Sequence, residues 1–127
     1  MSVLLGNGDS TFRTAMTYAT GYTPSAVDVG DFNNDTILDL VVVNNWQNTV
    51  SIFLGIGDGS FSNQIMYSTG TGPQAVVVGD FNNDGKADFV VANLGDASVS
   101  VYLGYGDGSF TDQTLYSVGT APNSIVV

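Results

Sequence analysis

The sequence contains no cysteine and no histidine, and none of its 12 acidic residues is a glutamate. Without cysteine the chain can form neither a disulfide bond nor a thiolate metal site. Without histidine, the common zinc ligand is missing and His-based catalytic triads are excluded. Because Cys, His and Glu are all absent, few side chains remain for general acid–base chemistry, and we expect no enzymatic activity.

Basic residues are nearly absent as well. Arg13 and Lys86 alone oppose the 12 aspartates, so the net charge is −10. This charge disfavours nucleic acid and anionic membranes as partners and suits cations or neutral ligands. No apolar run approaches the ~20 residues of a membrane helix, and no signal peptide follows Met1. We therefore expect no membrane insertion.

What the chain does contain favours β-structure. Hydrophobic residues make up 43% of the 127 positions, too large a share for a disordered chain. Aspartate favours turns, whereas the missing glutamate favours helices, and Val, Thr, Tyr and Phe favour strands. The 16 glycines indicate many turns. The composition predicts one all-β domain.

The sequence repeats with a period of 49 residues. Residues 30–78 align with 79–127 without a gap, with 27 identities in those 49 positions. A third, partial copy precedes them, since 2–12 matches both 51–61 and 100–110. A period of 40–50 residues built from strands is typical of propeller blades.

Each repeat divides into four strand-like runs, which we call A, B, C and D in chain order. They are exemplified by 75–78 for A, 38–43 for B, 50–54 for C and 64–68 for D. Short strands joined by Gly-rich and Asp-rich turns predict four-stranded antiparallel blades, with A at the channel and D at the rim. Residues 1–127 then form one repeat domain with a partial blade 2–25, full blades 26–70 and 75–119, and an orphan inner strand 124–127.

The turn between runs A and B carries oxygen donors at alternate positions of a nine-residue loop. In the last full copy, within GDFNNDGKADFVVAN, the donors are Asp80, Asn82, Asp84, the carbonyl of Lys86, and Asp88. Ca²⁺ takes six to eight such oxygens, whereas Mg²⁺ prefers fewer protein ligands. Position 12 is Val91, not the glutamate of an EF-hand. An Asx-rich turn without metal is the alternative.

The preceding copy repeats this pattern, which favours Ca²⁺ over a plain turn. Asp31, Asn33, Asp35 and Asp39 have identical spacing. Thr36 stands where the other copy has Gly85. Such a turn needs a positive φ, which a β-branched residue adopts only with strain. We therefore expect the first site to be the weaker one.

These residues resemble a known family. DFNNDGKAD followed by FVVAN, together with GYGDGSF and a later Gly-x-x-Pro, is similar to the FG-GAP/VCBS repeat of integrin-type β-propellers. The resemblance covers essentially the whole chain, although 21–24, 70–73 and 119–122 match the family's Gly-Ala-Pro element only loosely. It implies an extracellular or cell-surface parent protein. It also implies Ca²⁺ ligands at Asp31, Asn33, Asp35, Ile37 (carbonyl), Asp39, Asp80, Asn82, Asp84, Lys86 (carbonyl) and Asp88.

Two functions are compatible with this pattern. The resemblance implies a Ca²⁺-stabilised structural or protein-interaction module of adhesion type. The alternative is a lectin-like module that binds glycans, with Trp46, Tyr22 and Tyr105 as candidate stacking residues. Trp46 does not recur, and Tyr105 aligns with Ile56 and Asn7, so we favour the first function. Packing of Trp46 at the edge between blades is our preferred interpretation of that residue.

Two other features receive structural interpretations. The Gly-rich segments 55–60 and 104–109 lack the Lys-Ser/Thr of a phosphate-binding loop, and we expect them to be hairpin turns. Asp28 aligns with Val77 and Val126 on run A. We interpret it as a solvated group in the channel, with ligand contact as the alternative.

The chain holds fewer blades than a closed propeller, which typically has 4–8. Its partial blade supplies only runs C and D, and its orphan strand 124–127 supplies only run A, so a blade made from both has no run B and is three-stranded or rearranged. Joining these pieces between copies would give three blades per chain and six per pair. We therefore expect a head-to-tail homodimer that closes a six-bladed ring, with a protein or glycan as a further partner.

Overall fold

The computed structural model describes residues 1–126, and within them the protein is all-β without a helix. None of the described residues therefore forms a helix that could cross a membrane. Ten strands make up three sheets. The strands are β1 (Ser2–Val3), β2 (Met16–Thr17), β3 (Pro24–Gly30), β4 (Asp39–Asn44), β5 (Thr49–Phe53), β6 (Ile65–Ser68), β7 (Pro73–Gly79), β8 (Asp88–Asn93), β9 (Ser98–Tyr102) and β10 (Thr114–Ser117).

Two of the sheets are four-stranded and antiparallel, in the order β3-β4-β5-β6 and β7-β8-β9-β10. We call them the first blade (24–68) and the second blade (73–117). Their registers are equivalent, since Val41 pairs with Ile52 in the first blade and Val90 pairs with Val101 in the second. This arrangement confirms the predicted four-stranded antiparallel sheets and is consistent with propeller blades.

Each blade begins with a proline, at Pro24 or Pro73, followed by a shift in register before Ala26 or Ala75. Proline has no N–H to donate to the ladder, and this is tolerated at the first position of a strand. The central strands are the most apolar, and every residue of β8 is buried. The continuous apolar runs of the sequence therefore lie in the central strands of the sheets.

The third sheet is a two-stranded hairpin, in which Ser2 pairs with Thr17 and Val3 with Met16. It corresponds to runs C and D of the predicted partial blade. The predicted inner strand at 124–127 is not observed, because residues 124–126 have no strand structure and Val127 lies outside the described residues. A strand needs a neighbour for its backbone hydrogen bonds, and Val126 is 88% exposed. The apolar pattern alone is not sufficient to form this strand.

The hydrophobic core includes side chains of both blades. Phe89 stacks on Tyr102 with ring centroids 4.3 Å apart, and Phe110 meets Phe32 edge to face at 5.2 Å. Aromatic pairs of this kind add about 0.5–1.5 kcal/mol beyond their buried area. The buried cluster consists of Phe32, Val41, Val43, Val50, Ile52, Phe89, Val91, Tyr102 and Phe110. The two blades are thus packed against each other.

A buried polar row crosses each blade. In the first blade, the Asn44 amide donates to Ser51 Oγ at 2.9 Å, and that hydroxyl donates to Gln64 Oε1 at 2.7 Å. The second blade repeats the row with Asn93, Ser100 and Gln113. Each row ends at a glutamine near the blade's outer strand, which places a polar group at the rim.

Asp28 has a different role from the one expected. Its Oδ2 accepts a hydrogen bond from the Val78 N–H at 2.8 Å, and its Oδ1 accepts one from the Val29 N–H at 2.9 Å. Val78 lies in the inner strand of the other blade. The carboxylate therefore links the two inner strands, instead of standing free as a solvated group.

Candidate metal centre

The predicted ligands lie in the two connections between the first and second strands of each blade. We call residues 31–39 the first aspartate loop and residues 80–88 the second aspartate loop. The first connects β3 to β4 and the second connects β7 to β8. Their last aspartates, Asp39 and Asp88, are already the first residues of strands. The antiparallel strand pair therefore fixes both ends of each loop.

The leading aspartate of each loop folds the backbone around itself. Asp31 Oδ1 accepts from the Asp35 N–H at 3.1 Å, and Asp31 Oδ2 accepts from the Thr36 N–H at 2.8 Å. In the second loop Asp80 accepts in the same way, at 3.0 and 2.8 Å. The middle aspartate Asp35 accepts from the Ile37 N–H at 2.8 Å. Carboxylates that accept backbone N–H groups in this way are held at fixed positions in the loop.

The closing aspartate of each loop is buried and joins two segments. Asp39 is 0% exposed, and its two oxygens accept from the Phe32 N–H at 2.7 Å and the Gly55 N–H at 2.8 Å. Asp88 does the same for Phe81 and Gly104, at 2.9 and 2.8 Å. Burial raises the pKa of Asp39, and the neighbouring charges of Asp35 and Asp31 raise it further. The closing aspartate is thus a structural anchor as well as a candidate ligand.

The sixth position of each loop has a left-handed backbone. Thr36 has φ 67° and Gly85 has φ 81°. Glycine adopts this conformation without cost, but a side chain with a Cβ is strained there by about 1–2 kcal/mol. The predicted positive φ at Thr36 is confirmed. The two loops follow the same path despite their different residues.

The donor set fits a hard cation in chemistry, since it consists of carboxylate, amide and carbonyl oxygens. The polar side chains of each loop, however, already form hydrogen bonds with one another. The Asn33 amide donates to Asp35 Oδ2 at 2.8 Å, and the Asn82 amide donates to Asp84 Oδ2 at 3.1 Å. Across residues 1–126, no three acidic side chains converge as a metal cluster. The oxygens of the same asparagines accept from the Asp35 N–H at 3.3 Å and the Asp84 N–H at 3.0 Å.

A cationic side chain lies at the second loop only. Lys86 Nζ is 3.6 Å from Asp84 Oδ2. Desolvation raises the pKa of Asp84, but the Lys86 N–H, the Asn82 amide and the Lys86 charge outweigh it, and the net pKa is lowered. Ile37 takes the place of Lys86 in the first loop. The second loop therefore already attracts its own positive charge to the candidate ligands.

The first loop is covered by the second blade, a contact that the sequence analysis did not identify. The Asn34 amide donates to the Gly106 carbonyl at 3.3 Å, and the Gly108 N–H donates to the Phe32 carbonyl at 2.9 Å. Phe32 is consequently 0% exposed, whereas the equivalent Phe81 is 40% exposed. No local sequence signal marks this contact, because Asn34 and Gly106 are 72 residues apart.

A groove recurs between successive repeats at the outer rim. One copy, of about 350 Å³, is lined by Tyr67, Tyr102 and Gln113, with Asp112 beside them. The other, of about 280 Å³, is lined by the equivalent Tyr18, Phe53, Asn63 and Gln64. Each groove therefore combines an aromatic ring with the glutamine that ends the polar row.

Trp46 does not pack at the edge between the blades, contrary to our preferred interpretation. Its side chain is 75% exposed and meets Tyr22 edge to face, with ring centroids 6.0 Å apart. Both rings lie in turns, where no strand covers them. The pair is an exposed aromatic surface.

The fold and the two loops agree with one comparison to known proteins. The family model described as an FG-GAP-like repeat matches residues 31–91 and again residues 80–127. Neither the curated proteins nor the solved structures give a significant match. Both matches begin at the leading aspartate of a loop, and together they span more than half of the chain. The protein belongs to the FG-GAP-like repeat family.

Proposed function

We propose that this protein is a Ca²⁺-binding repeat module of integrin-like type with a structural or protein-interaction role. One observation carries the proposal: both loops place the same donors in the same hydrogen-bonded geometry. Asp31 and Asp80 accept from equivalent backbone groups at distances that agree within 0.1 Å. Repetition of the same oxygen donors at the same spacing in both copies supports a shared ligand for the two loops.

The residues that would hold the ion are the ten predicted ones. A bound Ca²⁺ supplies positive charge that relieves the repulsion among the aspartates of each loop. The chain's own part is to hold the leading and closing aspartates by backbone N–H groups, as described above. Asn33 and Asn82 supply an amide oxygen, while Ile37 and Lys86 supply their carbonyls. The ligands are Asp31, Asn33, Asp35, Ile37, Asp39, Asp80, Asn82, Asp84, Lys86 and Asp88.

The structural role follows from where the loops lie. Each closing aspartate ties a loop to the hairpin turn of its own blade, through Gly55 or Gly104. An ion in the loop would therefore stiffen the blade instead of converting a substrate, and we propose a non-catalytic module. FG-GAP-like repeats are typical of extracellular or surface proteins, which suggests an adhesion-type partner protein.

Thermal unfolding with Ca²⁺ and with chelator tests the metal proposal. A ligand that binds only the folded state adds about 2.7 kcal/mol per site at 100 times Kd. The melting temperature should rise with Ca²⁺ and fall with chelator. Asp84→Ala should lose more of this Ca²⁺-linked stability than Asp35→Ala, because Thr36 already strains the first loop. Asp58→Ala, which removes a carboxylate from a hairpin turn, is the control and should keep the full response.

The melting temperature after exhaustive chelation decides whether the protein binds Ca²⁺. An unchanged value in Ca²⁺ and in chelator would overturn the metal proposal. A response that Asp35→Ala and Asp84→Ala both leave intact would place the ion elsewhere and would also overturn it.

The recurring groove favours one second candidate, a lectin-like module. Aromatic rings beside amide and carboxylate groups are suited to sugar rings, and a pocket near 350 Å³ has the size of a small ligand. The exposed pair Trp46 and Tyr22 could add a further stacking surface. A glycan array tests the candidate, with Asp112→Ala as the variant that should weaken binding. An array without a hit overturns it.

A further inference from the structure

A contact joins each repeat to the next in the same way at two places in the chain. Tyr18 Oη accepts a hydrogen bond from the Phe61 N–H at 3.1 Å, and Tyr67 Oη accepts one from the Phe110 N–H at 3.2 Å. In both, the two rings meet edge to face with centroids 5.7 Å apart. We call this contact the joint. It links the outer strand of one repeat to the hairpin turn of the next.

Close packing of the same two elements supports the joint. Leu5 lies over Gly59, and Leu54 lies over Gly108. A Cβ added at either glycine would overlap the leucine side chain. The Gly108 N–H also donates to the Phe32 carbonyl at 2.9 Å. Both internal joints therefore consist of an aromatic pair and a leucine over a turn, and the second adds one backbone hydrogen bond.

Both halves of one more joint are exposed on the surface of this chain. On the second blade, Tyr116 is 55% exposed and Phe81 is 40% exposed, although their equivalents Tyr67 and Phe32 are covered. On the hairpin, Phe12 is 65% exposed, and within residues 1–126 its N–H has no acceptor. The second blade therefore presents the tyrosine half of a joint, and the hairpin presents the turn half.

We propose that two copies of this chain associate head to tail through this joint. The Phe12 N–H of one copy donates to Tyr116 Oη of the other, and the Phe12 ring covers Phe81. A second copy is the occupant because the chain itself carries the complementary half, in the form used at its two internal joints. The proposal uses none of the carboxylates of the aspartate loops and stands independently of the metal.

One position makes this joint less tight than the internal ones. Ser10 stands where the other turns have Gly59 and Gly108, and it has φ 71°. Leu103, the equivalent of Leu5 and Leu54, must turn its side chain aside to accommodate the serine Cβ. The end of a leucine side chain is flexible, so the joint is weakened there but not blocked.

Each copy presents both halves, so the contact is heterologous, and it closes when the rotation between copies completes a ring. Each copy contributes two blades and one mixed blade, in which the hairpin supplies runs C and D, residues 124–126 of the other copy take the place of run A, and no run B is present. Two copies give six blades, within the usual range of 4–8, and three copies give nine.

Light scattering of the purified chain tests the association. We expect twice the chain mass of 13.2 kDa at micromolar concentration. Phe12→Ala and Tyr116→Ala should each weaken dimerisation by at least about tenfold, as truncation of a buried interface aromatic does. Tyr105→Ala, which removes another exposed ring that is 58% accessible, is the matched control and should leave the dimer unchanged. Circular dichroism confirms that each variant is folded.

Cross-linking tests the head-to-tail geometry without disturbing the aromatic residues. The chain has no cysteine, so Thr11→Cys and Ser117→Cys introduce single thiols beside Phe12 and Tyr116. A short bis-maleimide should join the two variants when they are mixed, but neither variant to itself. A monomer in light scattering, a dimer indifferent to Phe12→Ala and Tyr116→Ala, or self-cross-linking of one variant would each overturn the proposal.

Discussion

The first aspartate loop contains a strained residue and is covered by the neighbouring blade, whereas the second is unstrained and open. Thr36 has φ 67° in the first loop, where the second has Gly85. Phe32 in the first loop is fully buried, whereas Phe81 in the second is 40% exposed. In spite of these differences, the hydrogen bonds within the first loop are equivalent to those within the second.

The comparison shows that aspartates, not glycine, determine the path of the loop. If the glycine were decisive, Thr36 would shift the backbone out of the left-handed region. Instead, Asp31 accepts from the Thr36 N–H at the same 2.8 Å at which Asp80 accepts from the Gly85 N–H. The contact between Asn34 and Gly106 adds support that the second loop lacks. Strain in one loop is thus offset by its anchors and its cover.

The largest effect on either loop should come from removing its closing aspartate. Asp39→Ala leaves the buried N–H of Phe32 and the part-buried N–H of Gly55 without their acceptor. An unsatisfied buried donor costs about 1–3 kcal/mol and a part-buried one less, so we expect a loss of about 2–4 kcal/mol. Asp88→Ala should cost a similar amount, because it leaves the buried N–H of Gly104 and the part-buried N–H of Phe81 without an acceptor. Urea denaturation in chelator measures both.

Ser60→Ala, which alters a hairpin turn outside the aspartate loops, serves as a control for these variants and should stay within about 1 kcal/mol of the parent. A much larger loss for Asp39→Ala than for Asp88→Ala would contradict this expectation and would show that the second blade's cover strengthens the anchor of the first loop.

A swap at the sixth position should have a smaller effect. Thr36→Gly relieves the left-handed strain and should stabilise the protein by about 0.5–1 kcal/mol, the difference between strain relief and glycine's entropy. Gly85→Thr should destabilise it by about 1 kcal/mol. A Cβ at Gly85 meets nothing within 4 Å, so the cost is conformational only. Urea denaturation in chelator measures both free energies.

Gly6→Thr is the matched control for this swap. Gly6 also has open space around a Cβ, but its φ is not positive. It should change the free energy of unfolding less than Gly85→Thr does. If Thr36→Gly destabilised the protein, the covering contact would have to depend on the threonine side chain.

The sequence was sufficient to predict the strands of the blades. Runs predicted at 38–43 and 50–54 are observed at Asp39–Asn44 and Thr49–Phe53. This agreement has a physical cause, because apolar runs this short, rich in β-branched residues and bounded by Asp-rich and Gly-rich turns, favour buried strands over helices. The positive φ of Thr36 was predictable too, since the aligned copy has glycine there.

The contacts between the blades were not predictable from local pattern. Asn34 and Gly106 are 72 residues apart, and Asp28 reaches Val78 across the inner strands. Such contacts depend on the rotation of one blade against the next, which no local propensity encodes. The inner strand predicted at 124–127 is not formed over residues 124–126 for a related reason, because these residues have the apolar pattern but no neighbouring strand.

The smallest predicted effect concerns a second difference between the blades. In each blade a side chain in the turn between the second and third strands accepts a hydrogen bond from the segment that precedes the first strand, and we call this contact the link. In the second blade Asp96 Oδ2 accepts from the Thr71 N–H at 2.8 Å, and Asp96 Oδ1 accepts from Ser98 Oγ at 2.6 Å. In the first blade Gln47, which cannot ionise, accepts from the Tyr22 N–H at 3.2 Å. Only the second link can respond to pH.

Hydrogen bonds from Ser98 and then Thr71 lower the pKa of Asp96 below its ordinary value of 3.8. A lowered pKa means that the link contributes stability above the ordinary value and loses it as the pH falls through the lowered one. In an NMR titration, the Asp96 carboxyl shift should have its midpoint below 3.8. Ser98→Ala should raise that midpoint, because it removes the larger of the two causes. Asp96→Gln should make the second link as insensitive to acid as the first, and a midpoint that Ser98→Ala leaves unmoved would contradict this account of the pKa.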